Sequence, residues 1–319
     1  MTAILTKNAL LLCLLLPFAA NAQETIDESR SVSANERVYI EVMRGTVRIR
    51  ASDDNLFRVR GTLDERAEGY TLESNNGFTR FEVEYPRSSR GWGWNNDKGD
   101  GSELEIEIPA GSELEFESVN GDVDVMDISG SSSIKTVNGD IVASSLSSFV
   151  ELGSVNGDIE SNDNSGRLEI STVNGEVRDN NSSGRIEYDT VNGEIRASSS
   201  ATEVSVSTVN GEAELALTGT EVLAMGTVNG DIDVRLANSL SPRIEGSTVS
   251  GDIRLELERD INASFDISAH GGDIENDMSD ARPTRDKYGP RKQLNFSTGN
   301  GSGSVEITTV NGDIELVPL

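Results

Sequence analysis

An all-β chain folded as a parallel β-solenoid, a single-stranded β-helix of about ten coils behind an all-β N-terminal cap, is what the sequence predicts. Three observations carry that prediction. The hexad Thr-Val-Asn-Gly-Asp-Ile and its close variants recur at 118–123, 136–141, 154–159, 172–177, 190–195, 208–213, 227–232, 248–253 (with Ser250 for Asn) and 309–314. Its glycines keep a fixed step: Gly121, Gly139, Gly157, Gly175, Gly193 and Gly211 are 18 residues apart, and the step lengthens to 19 and then 21. Between hexads, apolar and polar residues alternate with the period of two that a strand imposes.

Within a repeat the alternation defines a long strand. Leu168, Ile170 and Thr172 share one face, as do Ile186, Tyr188 and Thr190, and Val204, Val206 and Thr208. The valine after each threonine breaks that parity, so a corner is expected at Val-Asn-Gly, with Asn or Gly taking a positive φ. A short strand such as 140–143 follows, and a second polar turn such as 179–184 closes the unit. An antiparallel meander, with each Asn-Gly a type I′ hairpin turn, is the competing arrangement. The solenoid explains what the meander leaves free, because stacking equivalent residues about 4.8 Å apart rewards identical side chains in register. Asn120, Asn138, Asn156, Asn174, Asn192 and Asn210 would then form an amide ladder, with Asn229 and Asn311 at its C-terminal end.

Residues 1–22 read as an export leader: Lys7, an apolar run from Ala9 to Ala20, and a small-residue cleavage site at Ala20 and Ala22. Cleavage would remove Cys13, the only cysteine, leaving neither a disulfide nor a thiolate metal site. The full chain has a net charge of −28, and loss of Lys7 makes it one more negative. Such a chain is repelled by nucleic acid and by anionic membrane surfaces, and favours cations and neutral or cationic polymers. After the leader no apolar run reaches membrane length. The expected location is periplasmic, extracellular or at the cell surface.

Residues 23–112 lie outside the 18-residue period. Alternating runs at 38–42, 46–50, 56–60, 70–72 and 78–85, punctuated by Gly45, Gly61, Gly69 and Gly77, predict half-buried strands forming the N-terminal cap, continuous with the solenoid. Residues 86–101, holding Trp92 and Trp94 among glycines, arginines and asparagines, have a loop composition. The solenoid itself is expected over 113–319, with repeats of 18–21 residues and an irregular, proline-bearing, basic excursion at 278–293. Runs at 294–296 and 305–307 return the chain to a closing coil at 309–316.

The leader, strands of the type at 104–111, the serial Thr-Val-Asn-Gly-Asp-Ile units, the long interruption and the closing hexad at 309–314 together resemble a bacterial β-strand-repeat family of unknown function described as "putative adhesin". The resemblance covers nearly the whole chain after the leader. It implies a single-chain parallel β-helix in the envelope or outside the cell and brings no catalytic residues with it. The regularity of the 18-residue run and the tryptophan-bearing loop depart from the family pattern.

Two constellations could carry binding. The acids after each Asn-Gly are Asp122, Asp140, Asp158, Glu176, Glu194, Glu212, Asp231, Asp252 and Asp313. Ionised neighbours about 4.8 Å apart repel by about 3–4 kcal/mol at an effective dielectric near 20, which bridging calcium, with its many loosely arranged oxygen ligands, would relieve. Pointing into water and screened, the same acids would only keep the rod soluble. Arg87, Arg90, Trp92 and Trp94 form the second constellation, able to stack on a sugar ring or anchor a partner, or to fold back over the cap. His270, the sole histidine, falls in register with Val249 before Gly271, as a repeat residue would, and no Gly-x-Ser-x-Gly surrounds any serine. Carboxylate spacing along the rod carries no catalytic information. The function expected is therefore non-enzymatic and cofactor-free apart from calcium. It is an adhesin-like envelope or surface protein that binds polysaccharide or a cell-surface partner. A structural or stress-associated scaffold contacting other proteins is the alternative, and a polysaccharide hydrolase or lyase a more distant one.

Overall fold

The computed structural model describes residues 23–86 and 101–319. Among them there are 28 strands and no helix, so the chain is all-β over the described residues. The strands form two parallel sheets back to back. In the back sheet, whose strands end at the hexad threonine, Leu152 pairs with Ile170, Ile170 with Tyr188, Tyr188 with Val206 and Val206 with Met225. In the front sheet, whose strands begin at the hexad isoleucine, Ile141, Ile159, Val177, Ile195 and Ala213 stand in one file. Equivalent residues of successive repeats therefore lie side by side, which a meander of hairpins would not produce. The core is the space between the sheets, filled by alternate side chains of both: Leu168, Ile170, Ile186 and Tyr188 from one side, Ile159, Val177 and Ile195 from the other, all fully buried. Each such aliphatic side chain contributes about 1.5–3 kcal/mol by leaving water.

The corner falls at Val-Asn-Gly, but positive φ is not its device. Positive φ recurs instead at the opposite corner, at Asp127, Ser145, Asp163, Asn181, Gly219 and Asn238, with φ between 55° and 72°. In the hexads only Gly251 falls in that region, at 155°. What the hexad glycine supplies is close approach. A Cβ on Gly157 would lie 2.0 Å from the carbonyl oxygen of Gly139, and one on Gly175 2.0 Å from that of Gly157. The same overlap recurs along the rod up to Gly312 and Gly251.

The stretch 179–184, read from sequence as a turn, belongs to one long strand, Val177–Thr190, that serves the front sheet with its first residues and the back sheet with its last. Asp179 points into the core, and Asn181 and Gly184, at φ of 62° and 106°, bend the chain from one sheet to the other.

Coil order does not follow chain order at the two ends. The closing strand Gly303–Asn311 inserts between Arg243–Ser250 and Ala263–Ala269, and Ile314–Pro318 inserts between Ile253–Leu257 and Ile274–Asn276. At the other end, Arg37–Glu41 sits between Phe78–Glu84 and Glu113–Glu117, and Arg44–Ser52 between Ser102–Pro109 and Asn120–Met126. Antiparallel strands lie outside these coils. Thr25–Ser31 pairs with Leu56–Thr62, which pairs with Ser102–Pro109, and Gly69–Asn75 pairs with Phe78–Glu84. Within the excursion, Thr284–Arg285 and Lys292–Ser297 form a hairpin that pairs antiparallel with Ala263–Ala269.

Candidate binding surface

Each hexad turns the same four side chains in four fixed directions, and parallel stacking converts each direction into a row. The threonine or serine points inward, and in the middle hexads it holds the corner: Thr136 Oγ1 donates to the Gly139 carbonyl at 2.7 Å, and Thr172 Oγ1 to that of Gly157 at 3.2 Å, whereas the hydroxyls of Ser118, Thr227, Thr248 and Thr309 are buried without a partner among the described residues. The valine points out. Val137, Val155, Val173, Val191, Val209, Val228, Val249 and Val310 are 37–46% exposed, and half-buried Val119 precedes them. Backbone bonds fix this row, since the amide of each following Asn donates to the carbonyl of the valine one coil back, as from Asn174 to Val155 at 2.9 Å and from Asn192 to Val173 at 2.8 Å.

Beside the valines run the asparagines. The Asn138 amide donates to Oδ1 of Asn120 at 2.9 Å, and the pattern repeats through Asn156, Asn174, Asn192, Asn210 and Asn229 at 2.7–3.0 Å. Ser250 ends the run of amide–amide bonds, and Asn311 lies beyond it.

The acid row has a structural occupation that sequence alone did not suggest. Oδ1 of Asp122 accepts the backbone N–H of Asp140, Asp140 that of Asp158, and Asp158 that of Glu176. Toward the other end, Asp231, Asp252 and Asp313 do the same for Asp252, Asp313 and Asp273. Hydrogen bonds to a charged acceptor offset part of the repulsion between neighbours, each worth about 1.5–3 kcal/mol. Where glutamate replaces aspartate, arginine takes over: Arg196 bridges Glu176 and Glu194, and Arg178 pairs with Glu176. Glu212 lies past these cations, and desolvation together with Glu194, Asp233, Asp231 and Glu214 pushes its carboxyl up. Among the described residues no three acidic, histidine or cysteine side chains converge as a metal site.

Arg87, Arg90, Trp92 and Trp94 lie outside the described residues. His270 is exposed and belongs to the valine row, but beside Val310 rather than Val249, because the closing coil has inserted between them; its backbone N–H donates to the Thr309 carbonyl at 3.0 Å. Two features were not foreseen. Tyr288, 91% exposed, sits at the tip of the excursion hairpin with the Lys287 ammonium 5.2 Å from its ring centre and Arg285, Arg291 and Lys292 nearby in the chain. Inside the core, Asp179 accepts from Ser182 Oγ at 2.5 Å and from Tyr188 Oη at 2.7 Å, and burial pushes its carboxyl up. The clue to the second was an acid at an inward position of the alternation Val177, Asp179. Tyr288 gave only its composition. Two clefts among the described residues are open and more polar than apolar. One of about 690 Å³ at the end of the front sheet is lined by Arg259, Asn276, Asp277 and Arg282.

Several solved structures are similar at low identity. A "putative adhesin" from Parabacteroides distasonis is 16% identical, with 72% of this chain and 98% of that one covered and a TM-score of 0.49. A "putative adhesin" from Parabacteroides merdae is 12% identical, with 73% and 97% covered and a TM-score of 0.47. A "putative lipid binding protein" from Parabacteroides distasonis is 13% identical, with 91% and 96% covered and a TM-score of 0.43. No curated protein matches the chain. The profile of the family described as Toastrack DUF4097, a β-solenoid-like fold of unknown function, matches residues 35–317 and so spans nearly everything after the leader. The chain belongs to the Toastrack DUF4097 family, as the resemblance of its hexads implied.

Proposed function

We propose that the protein is an exported, non-enzymatic rod with an adhesin-like role, held in the periplasm or at the cell surface and binding an envelope polysaccharide or a cell-surface partner. Its leader would be residues 1–22. About ten coils would make up the rod, closed at the N-terminal end by the antiparallel strands of 23–112 acting as a cap. The observation that carries this reading is the strict register of the rows: the same amide, carboxylate and valine recur at one step along the rod. A surface that repeats suits a ligand that repeats. The acid row, with Asp122, Asp140, Asp158, Glu176, Glu194, Glu212, Asp231 and Asp252, is also where calcium would bridge rod and ligand. Arg87, Arg90, Trp92 and Trp94 offer a second contact, and exposed Tyr288 with its basic neighbours a third. Among the described residues no helix is long and apolar enough to cross a membrane. The scaffold alternative is favoured by the apolar content of the valine row, which fits a protein partner better than a sugar.

Retention of the chain from Gln23 onward on insoluble peptidoglycan and a panel of envelope polysaccharides, with calcium and with chelator, tests the proposal. The expected result is retention on at least one polymer. Loss in chelator would assign the acid row as the contact, whereas retention unchanged by chelator but lost on replacing Trp92 and Trp94 with alanine would assign the loop. No retention under either condition would overturn the polysaccharide reading in favour of the scaffold.

A further inference from the structure

One edge of this acidic rod carries almost no charge, and the valine row runs down its middle. On the back-sheet side of the valines the outward positions are Gly153, Ser171, Ser207, Gly226 and Ser247, with Asp189 the one charge among them. The asparagine amides line the other side, and Glu117 and Lys135 bound the strip toward the N-terminal end. A single exposed valine needs no explanation, but a continuous apolar row does. Apart from Asp189, which flanks Val191, the strip has the composition of an interface core, an apolar row with charge removed from its flanks.

We propose that this strip is where two copies of the chain pair, edge to edge and antiparallel. The step of the row selects the partner. Successive valines are about 4.8 Å apart. A strand laid along the rod presents same-side residues about every 6.6–6.8 Å, and a helix turns every 5.4 Å, so either falls out of step within a few coils. A second stack of β-coils keeps step over the whole row, and a second copy brings that stack with its own uncharged edge. Antiparallel pairing makes the contact isologous, with the two-fold axis near Val191, midway between Val119 and Val310. From Met43 through the valines to His270 the row takes ten steps, about 48 Å, of which the seven from Val155 onward lie within the strip bounded by Glu117 and Lys135. With a width of about 15 Å for three side-chain rows, each copy contributes about 700 Å², close to the about 800 Å² per partner of a stable interface. Net charge opposes the pairing, but beyond about 8 Å it is screened at physiological ionic strength, so added salt tightens the contact. Pairing covers the valine and asparagine rows and leaves the acid row and both sheet faces open, so it is compatible with a polysaccharide held through the carboxylates but not with one held along the valines.

Sedimentation velocity of the chain from Gln23 onward tests this at about 0.15 M and about 1 M salt. The expected result is a monomer–dimer equilibrium that shifts toward dimer at the higher salt. Val173→Glu combined with Val209→Glu weakens it by at least about tenfold while leaving the melting temperature unchanged, since both side chains are exposed. The leader aside, the chain has no cysteine, so single substitutions report the geometry. Val191→Cys cross-links to itself under oxidation, whereas Val137→Cys cross-links to Val249→Cys in a mixture. A monomer at every concentration and both salts overturns the proposal. So does a dimer indifferent to the paired glutamates, or a Val137→Cys chain that links preferentially to itself, which would mean parallel rods.

Discussion

Gly175→Ala lowers the melting temperature by about 6–12 °C, corresponding to a loss of about 3 kcal/mol. The added Cβ would sit 2.0 Å from the Gly157 carbonyl oxygen and 3.0 Å from Thr172 Oγ1, so the coils must separate at the corner where they are held closest. Separation there stretches the hydrogen bond from the Asn174 side-chain amide to Asn156 Oδ1, now 2.8 Å, and the one from the Glu176 backbone N–H to Asp158 Oδ1, also 2.8 Å. Gly153→Ala is the matched control: its Cβ would meet nothing closer than 3.6 Å, and its expected effect is within about 0.5 kcal/mol. Gly175→Asn separates the two explanations of the conserved spacing within this chain. Were the glycine there for positive φ, asparagine would substitute with little loss; because it is there for close approach, asparagine is as damaging as alanine. Thermal unfolding by circular dichroism reads all three.

Asp179→Asn raises the melting temperature at pH 7, by an amount corresponding to about 1–3 kcal/mol, and the gain disappears as the pH falls. Burial between the sheets holds the Asp179 carboxyl above its ordinary range, and the bonds from Ser161, Ser182 and Tyr188 only partly offset this. A carboxyl with a raised folded pKa stabilises fully below its unfolded value, where both states are protonated. That contribution is lost as pH rises through the folded value, where the fold must bury a charge or hold a proton against solution. Asparagine never ionises and keeps an oxygen to accept from Tyr188. The difference between variant and parent, rather than either curve alone, isolates the effect, since the other acids of the chain titrate in both. Tyr188→Phe acts in the opposite direction, because it removes the 2.7 Å donor to Asp179 and leaves a buried carboxyl less well held. A variant Asp179→Asn that melts lower than the parent at pH 7 would mean that the carboxylate is stabilised as an ion.

The fold was legible because a parallel stack rewards repetition, and repetition is visible in the chain. Inward Leu168, Ile170 and Thr172 are assigned by parity alone, and the structure buries all three; the outward, exposed position of Val173 was not read from the sequence, which took that valine only as the sign of a corner. Coil order was not legible. Every hexad is the same to its neighbours, so nothing local says that the one at 309–314 docks against 248–253 before the strand at Ala263–Ala269 does. The role of the glycine was misread for a related reason: Asn-Gly has a strong turn meaning within one chain segment, and the coil-to-coil contact is between segments 18 residues apart. The acid row was legible as a row but not as a set of backbone acceptors, because the N–H each carboxylate takes belongs to the next coil. The Asp179 network hid behind a residue type that normally faces water.

Every row on this surface exists only if the coils stack in the order described, and the insertion of the closing coil is its least expected part. A disulfide between Ser247→Cys and Thr308→Cys is the most direct measurement. The two positions are exposed and register partners on neighbouring parallel strands, about 4.8 Å apart, within reach of a disulfide. The expected result is efficient intramolecular linkage of this pair under mild oxidation, read by the mobility shift of the chain on denaturing gels, and none for Ser247→Cys with Ser268→Cys, which stand two coils apart with Thr308 between them. Linkage of the Ser247–Ser268 pair instead would mean that coils follow chain order to the end, and would contradict the stacking on which the rows rest.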